Sequence, residues 1–220
     1  MTEPDQLAIW DEAWRTVLPV GPFARRSLRR WFPLAGGTDL LELGCGGGTE
    51  ACLFARHGYR VVATDFARSA LEATRQCAER QALTVRVERV DLRTGILPFA
   101  TASFDIVYAH LSLHYFDDVT TAALFGECQR VLHSEGVLCI RCKSVDDPLY
   151  GRGEAFGGHR FVLDGQVRHF FSRDYLRDLL AEWQVLALRR TRGLYGPRTM
   201  RSAFIEGVAR PTCSRKQLRT

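Results

Sequence analysis

The segment ELGCGGGTE, residues 42–50, packs four glycines into the five positions 44–48. It sits between the apolar run TDLLELG (38–44) and the helical pattern GTEACLFARHG (48–58). Glycine lets a backbone turn sharply and approach a ligand closely. A helix N-terminus offers unsatisfied N–H groups to an electron-rich ligand. A buried strand, a tight glycine turn and a helix in that order constrain the chain to an α/β unit that binds something at the turn.

The rest of the chain repeats the alternation. YRVVATD (59–65), LTVRVERVD (83–91), SFDIVYAHL (103–111) and GVLCIRCKS (136–144) read as strands. ARSALEATRQCAERQ (67–81) and TTAALFGECQRVLHSEG (120–136) read as helices, the second ending near Gly136. Residues 145–161, rich in Gly and charge, read as a long loop. Ser172 caps a helix over 172–183, and 185–192 and 202–210 read as final strands. Such alternation predicts a mostly parallel sheet with helices on both faces. The stretch before the first strand reads as one or two helices.

At 220 residues the chain suits one domain, over 1–210, with a helical cap at 1–37, an acceptor-side loop or lid at 145–171 and a flexible basic tail at 211–220. The N-terminus is acidic and lacks the order of a signal peptide, and no apolar run reaches membrane-spanning length, so the expectation is a cytoplasmic protein. Seven cysteines are scattered through apolar elements. Cys139 and Cys142 form a CxxC, but residues three apart on a strand face opposite ways, so buried thiols are expected and no metal site. A net charge of +5 leaves a basic surface, with clusters at Arg25–Arg30 and Arg189–Arg192, but no RNA-module pattern.

Spacing narrows the ligand. A dinucleotide fingerprint needs GxGxxG, whereas Gly44, Gly46 and Gly48 give GxGxG with Thr49 next; this disfavours a nicotinamide oxidoreductase. A phosphate loop needs a terminal Gly-Lys-Ser/Thr, which is missing. Three carboxylates instead surround the turn: Glu42, then Asp65 and Asp91 at the ends of the second and third strands. They suit a cationic ligand better than a pyrophosphate.

The ordered set LLELGCGGG, VVATDFARSALE, VDLRTGILPFATASFDIVYAHLSLHYF and RVLHSEGVLCI resembles the class I S-adenosylmethionine (SAM)-dependent methyltransferases over residues 38–143. The stretch SVDDPLYGRG…VRHFFSRDYLRDLL, residues 144–180, also looks similar to small bacterial methyltransferases of the tellurite-resistance type. The resemblance implies a Rossmann-like three-layer sandwich, its seven-stranded sheet mostly parallel with one antiparallel strand. It implies SAM as cofactor and S-adenosylhomocysteine as product. By position, Gly44, Cys45 and Gly46 would line the methionine part, with Glu42 near the sulfonium. Asp65 would hold the ribose hydroxyls and Phe66 would lie beside adenine. Asp91 would take the adenine amino group and Leu92 would pack the ring. The backbone around Ala109 and His110 would hold the amino-acid end.

For the acceptor, His114, His110 and Tyr115 follow the fourth strand, and His114 is the first candidate for a base, its imidazole being suited to proton transfer near neutrality. Trp10, Trp14, Tyr115, Arg141, Tyr150, His159 and His169 are candidate acceptor contacts, and Phe23 and Trp31 candidate cap residues. The expected function is methyl transfer to N, O or S of a small molecule, by a monomer or homodimer acting on neither nucleic acid nor membrane. The alternatives are an RNA or protein methyltransferase using the arginine clusters, and a non-catalytic SAM-binding module.

Overall fold

The structure is a computed structural model that describes residues 5–16, 26–195 and 200–212. The expectations for Phe23 and for most of the 211–220 tail lie outside these residues. Among the described residues no helix is long and apolar enough to cross a membrane.

Among the described residues ten strands form two sheets: β1 Asp39–Leu43, β2 Arg60–Asp65, β3 Val85–Arg89, β4 Phe104–His110, β5 Leu132–Lys143, β6 Glu154–Ala155, β7 Arg160–Leu163, β8 Gln166–His169, β9 Trp183–Tyr195 and β10 Met200–Pro211. The main sheet has the order β3-β2-β1-β4-β5-β10-β9. The five strands from β3 to β5 are parallel, and β10 alone runs antiparallel to both its neighbours. The seven-stranded sheet with one antiparallel strand is therefore as expected. The chain reverses its direction of strand addition between β1 and β4. Ligands of open α/β sheets bind at such a switch point, outside the carboxyl ends of the strands.

Helices cover both faces: α1 Gln6–Thr16, α2 Arg26–Arg29, α3 Thr49–Arg56, α4 Arg68–Arg80, α5 Asp118–Val131 and α6 Arg173–Leu179. Leu124, Phe125, Cys128 and Val131 of α5 and Leu176 of α6 pack with Leu41, Val107 and Ile140 on one face. Leu28, Phe32, Ala51, Phe54 and Leu71 pack with Leu40, Ala63 and Tyr108 on the other. α3, α4, α5 and α6 each bury apolar side chains on a sheet face. Cys139 falls in the second core and Cys142 in the first, so the CxxC does split across the sheet. The six free cysteines among the described residues are all buried. Asp117 caps α5 by accepting from Thr120 N at 2.8 Å, and Ser172 caps α6 by accepting from Tyr175 N at 3.0 Å.

Two boundaries differ from expectation. α5 stops at Val131 and β5 begins at Leu132, five residues before Gly136. The β4–β5 register shifts between Phe104 and Ile106, and a Cβ on Gly136 would lie 3.0 Å from Asp105 O. Gly136 thus permits close strand approach at a bulge instead of ending a helix. The 145–161 segment is not simply a loop. β6 pairs with β7, and β7 turns through Asp164 and Gly165, both at positive φ, into β8. Asp-Gly suits a two-residue hairpin turn that needs a left-handed conformation at both positions. This three-stranded sheet stands beside the carboxyl end of β5, where Ser144 bridges to Phe171.

Candidate active site

A cavity of about 950 Å³ opens over the carboxyl ends of five consecutive strands. In sheet order they contribute Asp91 after β3, Asp65 on β2, Gly44 after β1, His110 on β4 and Lys143 on β5. Single-ligand pockets run to roughly 300–1,000 Å³, so this one can hold a sizeable cofactor with a smaller molecule beside it.

The glycine turn is built around Asp65. Gly46 N donates to Asp65 Oδ2 at 3.0 Å and Ala67 N donates to Oδ1 at 3.0 Å. Each carboxylate oxygen keeps a second lone-pair direction. Burial raises the Asp65 pKa, and the backbone N–H groups of Ala67, Gly46 and Phe66 oppose the shift. Gly46 has φ +52, and a Cβ there would lie 2.3 Å from Trp14 Cζ2. The position requires glycine both for its backbone and for the indole above it.

The opposite wall follows from a strained residue. Leu111, non-glycine at φ +60, turns the chain after β4 and donates its N–H to Arg141 O at 2.8 Å. The turn presses Ser112 so near Gly44 that a Cβ on the glycine would lie 2.5 Å from Ser112 Cβ. His110 Nδ1 lies 3.3 Å from Glu50 Oε2, both side chains about nine-tenths buried. Buried Glu42 Oε2, His110 Nε2 and Ser112 Oγ have no hydrogen-bond partner among the described residues. Burial, then Glu50, then Asp65 pushes the Glu42 pKa well above the usual carboxylate range.

Helix α1 roofs the cavity and is pinned at its middle, by Asp11, and at its first residue, Gln6. Ser69 of α4 donates its N–H to Asp11 Oδ1 at 2.9 Å and its Oγ–H to Asp11 O at 2.7 Å. At the helix start Gln6 Nε2 donates to Gly165 O at 2.9 Å and Gln6 Oε1 accepts from Val167 N at 3.3 Å. Trp10 and Trp14, four apart on this helix, both face the cavity. Trp10 meets Tyr115 edge-on with ring centroids 5.1 Å apart.

Among the sequence candidates, Glu42, Gly44, Cys45, Gly46, Asp65, Phe66, Asp91, Leu92, His110, Tyr115, Trp10 and Trp14 all line this cavity. Asp91 is chelated by Arg93, whose Nε and Nη2 donate at 2.9 and 2.6 Å, and the Arg93 guanidinium lies 5.5 Å from the Phe66 ring centroid.

Seven candidates lie elsewhere. His114 does not reach the cavity: the short turn Leu113–Tyr115 buries its ring completely. Burial first, then nearby Lys143 and Arg168, lowers its pKa well below the ordinary histidine value. It is a neutral core imidazole behind Tyr115, with ring centroids 4.3 Å apart, and not a base in contact with an acceptor. Ala109 is fully buried within β4, so the wall begins one residue later, at His110.

Arg141 is buried against Phe204 and paired with Glu206 of the neighbouring strand β10 at 3.1 Å, which holds it out of the cavity. Tyr150 and His159 hydrogen-bond to each other at 2.8 Å on the small sheet, away from the cavity. His169 is buried and its Nδ1 lies 3.1 Å from Phe116 O, so it braces a cavity residue without reaching the cavity. Trp31 packs on the second core and also misses it.

Lys143 and Arg168 line the cavity as well, as do Glu50 and Ser112. Its place at the carboxyl end of β5 could have singled out Lys143. Arg168 needed the hairpin, and Ser112 needed a left-handed leucine that no sequence pattern signals.

Residues 41–140 match the methyltransferase domain family. The malonyl-[acyl-carrier protein] O-methyltransferase of Methylovorus sp. is 35% identical over 115 residues, covering 49% of this chain and 37% of that protein. The chain spans about half or less of the length of the curated relatives it matches first. Two solved structures share the fold across nearly the whole chain. A protein described in work on converting a disulfide bond into a thioacetal during echinomycin biosynthesis has a TM-score of 0.74 at 21% identity, covering 97% of this chain and 96% of that one. The Burkholderia thailandensis 1,6-didemethyltoxoflavin-N1-methyltransferase, solved with 1,6-didemethyltoxoflavin and S-adenosylhomocysteine, has a TM-score of 0.66 at 18% identity, covering 97% and 92%. With its glycine turn, strand order and matched segment, the chain carries a class I SAM-dependent methyltransferase domain.

Proposed function

We propose that the protein transfers a methyl group from SAM to a small-molecule acceptor held in the same cavity. One observation carries this reading: a glycine turn and the carboxylates Glu42, Asp65 and Asp91 converge on a single cavity that continues to His110, Tyr115 and Lys143. The residues suit the cofactor. Asp65 keeps acceptor capacity for a ribose diol, Phe66 and Leu92 flank a slot for a flat ring, and the unpartnered Glu42 Oε2 offers an acceptor to a cation.

Bound there, SAM supplies a methyl carbon made electrophilic by its sulfonium. The chain's own task is alignment and exclusion of water. Trp10, Trp14 and Tyr115 close the cavity above the glycine turn. His110, oriented by Glu50, is the cavity imidazole placed to receive a proton from an acceptor that must lose one. A cavity roofed by a helix and flanked by a hairpin favours a compact acceptor, in line with the small heterocycle bound by the Burkholderia enzyme.

Calorimetry with SAM, S-adenosylhomocysteine and NADH tests the donor assignment. The expectation is micromolar binding of the first two. Binding of NADH in their place would overturn the assignment.

A further inference from the structure

The cavity is electrically divided along the sheet. From β3 to β1 its floor carries carboxylates: Asp91, Asp65 and Glu42, with Glu50 beyond the turn. Past His110 the sign changes, with Lys143 at the end of β5 and Arg168 on β8. Neighbouring strands lie about 4.8 Å apart, so the end of β5 stands roughly 10 Å from the glycine turn of β1. That separation places the cations beside the methyl donor's site, where an acceptor lies.

Both cations are held in place. Lys143 Nζ donates to Asp147 Oδ2 and to Ser202 Oγ, each at 2.9 Å, and Asp147 is itself fixed by Ala203 N at 2.9 Å and Leu149 N at 3.0 Å. Asp147 balances the Lys143 charge, so Lys143 acts as a rigid ammonium donor. Arg168 supplies a charge that no carboxylate among the described residues pairs with directly: its guanidinium donates to neutral oxygens, those of Leu163 O and the Gln166 side chain. Two carboxylates do border this half, but Asp5 and Asp117 are occupied as caps of α1 and α5, accepting from Leu7 N and Thr120 N.

His114, wedged behind this wall, records the same field: after burial, Lys143 and Arg168 are the largest influences holding it neutral. The remaining wall is aromatic, with Trp10, Tyr115 and Phe116. An arginine fork and a fixed ammonium next to aromatic faces match an oxyanion carried on an apolar or ring-shaped body.

We propose that the methyl acceptor is a small organic anion whose carboxylate or phosphate is held by Arg168 and Lys143 while its body lies against Trp10 and Tyr115. This rests on the methyltransferase reading and narrows its acceptor.

The test uses the full chain saturated with S-adenosylhomocysteine. Four probes of similar shape are compared by ligand-observed NMR: benzoate, phenyl phosphate, benzamide and benzylamine. The expected result is binding of at least one anion, ten-fold or more tighter than benzamide and benzylamine. Arg168→Gln should weaken that anion at least ten-fold, Arg168→Lys less, and S-adenosylhomocysteine affinity serves as the folding control. Whichever anion binds more tightly separates the carboxylate from the phosphate class. Equal or tighter binding of the neutral or cationic probe, absence of binding by both anions, or an anion preference unchanged in Arg168→Gln would overturn the proposal. Failure of S-adenosylhomocysteine itself to bind would overturn the methyltransferase reading first, by a separate measurement.

Discussion

The backbone N–H of Gly46 reaches across the ends of two parallel strands to Asp65 Oδ2 at 3.0 Å, tying the glycine turn to the acidic end of β2. The same carboxylate therefore shapes the turn and faces the cavity. Substitution should separate the two roles. Asp65→Ala leaves the N–H groups of Gly46 and Ala67 without an acceptor, at about 1–3 kcal/mol for each buried donor left unpaired. It should lower both the unfolding free energy and the S-adenosylhomocysteine affinity. Asp65→Asn keeps one acceptor for the turn and turns its NH2 on the other N–H, so it should lose less stability than Asp65→Ala, yet bind the ligand about ten- to hundred-fold more weakly. Asp65→Asn binding like wild type in calorimetry would show that the carboxylate does not hold the ribose.

Glu42 leads to a pH prediction. Its pKa is raised in the folded protein, chiefly by burial and then by Glu50 and Asp65. An unfolded glutamate ionises near 4.3, so the folded state holds its proton to higher pH. The sign follows: stability of the ligand-free protein falls as pH rises from about 4.3 towards the folded value. Glu42→Gln removes that slope and should raise the unfolding free energy of the ligand-free protein at neutral pH relative to wild type. A cationic ligand favours the ionised form, so its binding should release a proton and tighten as pH rises. Calorimetry of SAM in buffers of different ionisation enthalpy reads this release. An identical proton count in wild type and Glu42→Gln would remove Glu42 from the cation's surroundings.

Trp14 covers the glycine turn, and its ring leaves no room for a Cβ at Gly46. α1 reaches this place through the Asp11–Ser69 and Gln6–Gly165 bonds, so the roof is fastened to both α4 and the β7–β8 hairpin. Trp14→Ala should weaken S-adenosylhomocysteine about ten-fold, or about 1.4 kcal/mol, with little change in unfolding free energy. Trp14→Phe should recover much of the loss. Gly46→Ala should be more severe, because it strains the backbone and displaces the indole together. Unchanged ligand affinity in Trp14→Ala would mean that the roof plays no part in donor binding.

The donor half of this architecture was legible because backbone requirements leave marks in sequence. The GxGxG spacing, the acidic ends of β2 and β3 and the apolar strand runs each follow from local geometry. The acceptor half depends on contacts between distant segments. Arg141 and Lys143 are two apart on one strand, yet one is locked in the core by Glu206 and the other reaches the cavity, a difference set by β10 and the small sheet. His114 and Tyr115 are adjacent, but a short turn puts one inside and one on the wall. The β7–β8 hairpin was readable from Asp164-Gly165, and without that hairpin nothing in the sequence aims Arg168 of β8 at the cavity. Gly136 misled because glycine marks helix ends and strand bulges alike.

The pair Arg141–Glu206 offers a prediction about stability alone. Both side chains are 1% exposed, their polar atoms 3.1 Å apart, and the guanidinium lies 3.8 Å from the centroid of the Phe204 ring. Arg189 Nη2 and Thr191 Oγ1 also donate to Glu206, at 3.3 and 3.4 Å. Two charges taken from water gain little over apolar residues of similar volume, whereas one charge left buried costs about 3–5 kcal/mol. Glu206→Leu should therefore destabilise the fold by that order, while Arg141→Met combined with Glu206→Leu should recover most of the loss. Denaturant unfolding of the two single variants and the double variant measures the coupling. Since neither side chain lines the cavity, S-adenosylhomocysteine affinity should stay within about two-fold of wild type in the double variant. Additive losses in the double variant would mean that the pair is not coupled. A large loss of ligand affinity in a stably folded double variant would show that this network shapes the cavity through Leu111, whose N–H is held by Arg141 O.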